Sequence, residues 1–189
     1  MKRFTLPAAF LLLLSSGAAL AHPGHGDGLA AGLAHPYSGL DHLLAMVAVG
    51  LWAAQQSAKD ALWKIPLSFV SVMAVGALLG MAGLALPQVE TGIATSVVIL
   101  GLLVAFSLRL PTGFGMTLVA AFALFHGFAH GVEAPLGSLS IFATGFILAT
   151  ASLHGLGMTL GWAARHRAEM ALRAGGAGVA LAGAWLALG

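Results

Sequence analysis

The stretch Phe125-His126-Gly127-Phe128-Ala129-His130-Gly131-Val132-Glu133 closes a segment that is otherwise apolar from Gly113 onward. A helix turns about 100° per residue, so positions i, i+4 and i+7 fall on one stripe. His126, His130 and Glu133 hold that spacing. The stretch therefore predicts a helix with two imidazoles and a carboxylate on one face, at one end of a membrane span. Ionisable groups at membrane depth are costly, and by default they mark an ion or substrate path.

Working outward, the whole chain shares this character. Of its 189 residues, 59% are hydrophobic and 7% are charged, with a mean hydropathy of +0.97. A soluble domain carries about 25% charged residues. The expected fold is all-α, a polytopic membrane helix bundle. Glycine occurs 26 times, and small residues along apolar runs let helices approach closely in lipid. The lack of cysteine excludes disulfides, thiolate metal sites and iron–sulfur clusters. The formal charge of +2 and the pI near 9.5 do not point to nucleic acid, because the basic residues form no patch.

Lys2 and Arg3 precede a short apolar run, Phe4 to Leu14, and a small-residue stretch ending in Ala19-Leu20-Ala21. This is the pattern of a secretory signal with an A-x-A site. Residues 1–21 are expected to be a signal peptide cleaved after Ala21; an uncleaved anchor helix is the alternative. Residues 22–36 then form an exported Gly/His-rich tail opening on His22-Pro23-Gly24-His25-Gly26-Asp27. A free amine beside His22, His25 and Asp27 is competent to catch a borderline divalent metal. A glycine-rich tail without such a role is the other reading.

Residues 37–189 are expected to hold six transmembrane helices, at about 37–55, 65–86, 91–110, 113–131, 138–164 and 168–188. Each is near the ~20 residues that a ~30 Å hydrocarbon core requires. Breakers sit at the joints: Pro66, Pro87, Pro111 with Gly113, and Pro135 with Gly137. Basic residues in short loops set the orientation. With the mature N-terminus outside, Lys59, Lys64, Arg109, Arg165, Arg167 and Arg173 all fall on the cytoplasmic side. Asp27, Glu90 and Glu133 fall outside. The expected location is the bacterial inner membrane, with both termini periplasmic.

A second cluster opens the first span: His35-Pro36-Tyr37-Ser38-Gly39-Leu40-Asp41-His42. His35 and His42 are seven apart and share a face if the segment is one helix. Met46 continues that face one turn deeper. Pro36 suits the first turn of such a helix. Asp41 and His42 are adjacent, so their side chains diverge by about 100°. One can ligate a metal while the other orients a neighbour. Depth supports convergence, because Asp41, His42 and His126 all lie within roughly 10 Å of the same boundary at 1.5 Å per residue. His154 lies deeper, with Met158 a turn beyond. The predicted order is His22 and His25, then the His/carboxylate layer, then His154: a ladder for a cation. Imidazole with carboxylate suits nickel, cobalt, zinc or copper(II), whereas calcium and magnesium prefer oxygen shells.

The segments His35-Pro36-x-x-Gly39-x-Asp41-His42-x-x-x-Met46 and Phe125-His126-Gly127-x-Ala129-His130-Gly131-x-Glu133 together resemble the HupE/UreJ family. The resemblance covers essentially the whole chain. It implies a nickel or cobalt permease that supplies metal for hydrogenase or urease. It also implies metal handling by His35, Asp41, His42, His126, His130 and Glu133. The expected partners are the divalent ion and the bilayer, with a cytoplasmic metallochaperone as a compatible receiver. No nucleic acid, no permanent cofactor and no enzymatic activity are expected, and the oligomeric state is open. Alternatives are a copper or zinc transporter of the same mechanism, an intramembrane zinc-dependent hydrolase, and a haem-binding electron carrier.

Overall fold

A computed structural model describes residues 28–134, 139–164 and 168–188. The expected signal peptide, His22, His25, Asp27 and the segments holding Pro135, Gly137, Arg165 and Arg167 lie outside the described residues. Seven helices follow one another: α1 Leu29–Ser38, α2 Leu40–Gln55, α3 Ala61–Met81, α4 Val89–Ala105, α5 Thr112–Glu133, α6 Leu139–Ala164 and α7 Glu169–Leu188. Among the described residues there is no strand.

Four helices are individually long and apolar enough to cross a membrane: α3, α5, α6 and α7. The bent pair α1 and α2, which meet at 86°, adds a fifth if the two are one span, and the apolar helix α4, at 17 residues, falls short of the length of a sixth. Gly39 makes the break in extended backbone, φ −95° and ψ 121°. The Ser38 hydroxyl donates to the His35 carbonyl at 2.6 Å, satisfying one of the last-turn acceptors of α1.

This corrects three local expectations. Pro36 lies in the last turn of α1 rather than in the first turn of a span, where its missing N–H leaves the Gly32 carbonyl without that donor. His35 and His42 do not share one helical face, since the bend intervenes. Pro66, expected at a joint, is also inside a helix, in the second turn of α3.

The principal pairs are α3 with α5, α2 with α6, α4 with α7, and α1 with α6. Lipid gives little hydrophobic drive between helices, so close backbone approach holds them. Gly127 and Gly131 show this on α5: an added Cβ would fall on the backbone carbonyls of Met73 and Ala77 in α3. Gly50 and Gly157 seat α2 on α6 in the same way. Trp52, Phe69, Met46, Ile65 and Met73 fill the buried space between these pairs.

The basic end of the bundle is tied by side chains. Trp52 Nε1 donates to the Leu108 carbonyl at 2.8 Å, and Gln56 Nε2 donates to the same oxygen at 3.2 Å. Arg173 Nε donates to the Ala105 carbonyl at 2.9 Å. These bonds satisfy carbonyls at and beyond the end of the short helix α4. They leave the opposite end, where α1 crosses the bundle, for the histidines.

Candidate metal centre

On α5 each histidine precedes a glycine. Gly127 and Gly131 face α3, so His126 and His130, about 100° away, face α2, α4 and α1. His126 is completely buried and His42 is 2% exposed. The cluster is a continuous file. His35 Nε2 lies 2.8 Å from His130 Nδ1. His130 Nε2 lies 2.8 Å from His42 Nδ1, and His42 Nδ1 lies 3.1 Å from His126 Nδ1. The file ends on α4, where His126 Nε2 meets Ser96 Oγ at 2.8 Å.

Glu133 closes the other end. Its Oε2 lies 3.5 Å from His35 Nε2 and 3.6 Å from His130 Nδ1. One ligand atom from each of His35, His130 and Glu133 lies within 4.8 Å of the others. The His130 ring thus joins two sets of groups: its Nδ1 completes a triad with His35 and Glu133, and its Nε2 meets His42, which in turn meets His126. The Glu133 side chain is 60% exposed, so the file runs from the surface of the bundle into the core.

The setting is apolar. The Phe146 ring lies 4.7 Å from His130, 5.3 Å from His42 and 5.9 Å from His35, centroid to centroid. Phe142 lies 5.5 Å from His35. Imidazoles packed so closely, with so few other polar partners, form a ready set of nitrogen donors for one cation or two in succession.

The remaining predicted residues take other places. Asp41 Oδ1 accepts the His42 backbone N–H at 2.7 Å. Asp41 also lines a separate cavity of about 270 Å³ with Glu90, Thr91 and Leu186. Met46 is fully buried in the apolar core. Among the described residues no hydrogen bond or ring contact ties it to the imidazoles. His154 is 1% exposed, and both its ring nitrogens lack a hydrogen-bond partner. The ring of Phe69 stands beside both His154 and His126, at 5.4 and 5.8 Å. Ser96, Phe69 and Phe146 are the site's unpredicted members. A lone hydroxyl or phenyl in an apolar run carries no signal that sets it apart from packing.

Comparison with known proteins gives two matches. A family model described as HupE / UreJ protein matches residues 10–186. The chain is 47% identical over 192 residues to Protein HupE of Rhizobium leguminosarum bv. viciae, covering 100% of each. No solved structure matches.

Proposed function

The chain belongs to the HupE/UreJ family, and from that premise we propose that it is a membrane permease for a divalent transition metal, nickel or cobalt. The observation that carries the reading is the file Glu133–His35–His130–His42–His126, which leads from an exposed carboxylate to a buried imidazole in steps of 2.8 to 3.6 Å. A hydrated cation meets the carboxylate first and exchanges water for imidazole as it moves inward. His154, buried with two unpartnered nitrogens, is the next donor along this route. Moderate nitrogen and oxygen ligands allow release as well as capture.

Imidazole with carboxylate suits nickel and cobalt, and also zinc and copper(II). Orientation follows from the basic residues: the His end faces outward, the Lys/Arg end faces the cytoplasm, and metal moves inward. His22 and His25 would add an outer capture step.

The test is uptake of radioactive nickel and cobalt into proteoliposomes, with copper and zinc alongside, by wild type, His42→Ala and His130→Ala. The expected result is nickel or cobalt uptake that both variants abolish. Uptake of none of the four metals by wild type would overturn the permease reading. Transport of zinc or copper alone would overturn the assignment of the cargo.

A further inference from the structure

Ser96 is a fully buried hydroxyl in the middle of the apolar helix α4. Its Oγ lies 2.6 Å from the Ile93 carbonyl and 2.8 Å from His126 Nε2. A hydroxyl has one proton to give. A carbonyl oxygen cannot donate, so the contact to Ile93 takes that proton. The Ser96 oxygen then accepts from His126 Nε2–H. A neutral imidazole carries one N–H, so His126 Nδ1 bears a lone pair. That lone pair faces His42 Nδ1 at 3.1 Å, and His42 Nδ1 in turn faces His130 Nε2 at 2.8 Å.

Among these three nitrogens there is room for one proton. Protons on both His42 Nδ1 and His130 Nε2 would point at each other across 2.8 Å. With His126 held as an acceptor, at least two lone pairs always converge. Without the hydroxyl, His126 is free to turn an N–H toward His42 and fill that gap with a proton.

We propose that Ser96 is a positioning residue for the cation: it holds His126 in the Nε2–H tautomer and so presents Nδ1 as the ligating nitrogen. This rests on the reading of the histidine file as a cation site. The role is that of an outer partner that fixes a ligand's tautomer and ring orientation. Ser96 touches the cargo at no point; it acts through the imidazole.

The experiment uses the full-length protein in detergent, as wild type, Ser96→Ala, and the equal-shaped pair Ser96→Thr and Ser96→Val. Nitrogen-15 spectra of histidine-labelled, metal-free protein report the tautomer, with His126→Gln to assign the signal. Cobalt(II) is the binding probe, followed by its visible absorption. Wild type and Ser96→Thr should show a single Nε2–H tautomer at His126. Ser96→Ala and Ser96→Val should show mixed tautomers and bind cobalt roughly 10–100-fold more weakly, as loss of such outer partners generally does. Should Ser96→Ala misfold, the Thr/Val pair, alike in shape and different only in the hydroxyl, decides. Equal cobalt affinity in Thr and Val variants, or an unchanged Nε2–H tautomer in the Val variant, overturns the proposal. A wild type that binds cobalt but transports no metal overturns the permease reading and leaves this one standing.

Discussion

His130→Ala removes the side chain that joins the His35–Glu133 pair to the buried pair of His42 and His126. Its ring lies 2.8 Å from His35 on one side and 2.8 Å from His42 on the other, with Glu133 at 3.6 Å. Alanine leaves two incomplete pairs, His35 with Glu133 and His42 with His126. Loss of a partner beyond a metal's own ligands costs roughly 10–100-fold in affinity. Loss of a ligand itself should cost more, so His130→Ala should weaken nickel or cobalt binding by over 100-fold, about 2.8 kcal/mol. His42→Ala removes one nitrogen donor of the buried pair. The two effects should not add. Once His130 is gone, His42 has already lost its nearest neighbour, so the double variant should fall short of the sum by about 0.5–3 kcal/mol. His154 shares no hydrogen bond or ring contact with His130 among the described residues, so that pair should add to within about 0.5 kcal/mol. The assay is competition for metal against a chelating dye, with detergent-purified protein and all four members of each cycle. Strict additivity of His42→Ala and His130→Ala, or a His130→Ala affinity near that of wild type, would refute the reasoning that one ring joins the outer triad to the buried pair.

Gly127→Ala should destabilise the protein by about 1–3 kcal/mol, since overpacking a tight contact costs that much and the obstructing atoms are Met73 backbone; thermal unfolding in detergent reads it, and a wild-type melting temperature would contradict the packing. Asp41→Asn keeps an oxygen to accept the His42 N–H, so metal affinity should stay close to wild type; a loss as large as that of His42→Ala would make Asp41 a ligand. His154→Ala should leave equilibrium binding intact and slow uptake, because His154 stands apart from the file; equal uptake rates would remove it from the route.

Much of the bundle was legible because its signals are local. The helices α3, α5, α6 and α7 are long apolar runs with breakers near their ends, and their bounds fall within a few residues of the expected ones. The spacing i, i+4, i+7 placed His126, His130 and Glu133 together because α5 is regular through Glu133. The expectation of one straight helix at the start of the bundle fails because the same period does not continue through Gly39. Nothing local forces a break there, since a glycine is tolerated within an apolar helix. The break depends on α1 docking against α6, where Gly32 and Gly145 admit the backbone of the other helix. The outcome is stronger than the expectation: His35 and His42 reach His130 from two directions, which one helical face does not allow. Ser96 was invisible for a related reason. A hydroxyl in an apolar helix ordinarily bonds back to its own backbone, and Ser96 does. Its second bond exists only because α5 lies beside α4.

The stretch 125–133 carries both the packing and the chemistry, and the two are not separable. Each glycine that seats α5 on α3 is the next residue after a histidine of the file. Any rotation or withdrawal of α5 that relieves a crowded Gly127 must therefore swing His126 and His130 together. Their contacts of 2.8 and 3.1 Å leave little slack for that movement. A metal affinity lost with Gly127→Ala would then be a geometric effect, with every donor still present. It should be regained when a compensating small residue is placed opposite, as with Met73→Ala, only if the side chain rather than the backbone obstructs. The obstructing atoms are the Met73 carbonyl and Cα, so Met73→Ala should not restore binding. A restoration would show that α3 and α5 are held apart by side chains, and that the histidines owe their position to something other than the glycines beside them.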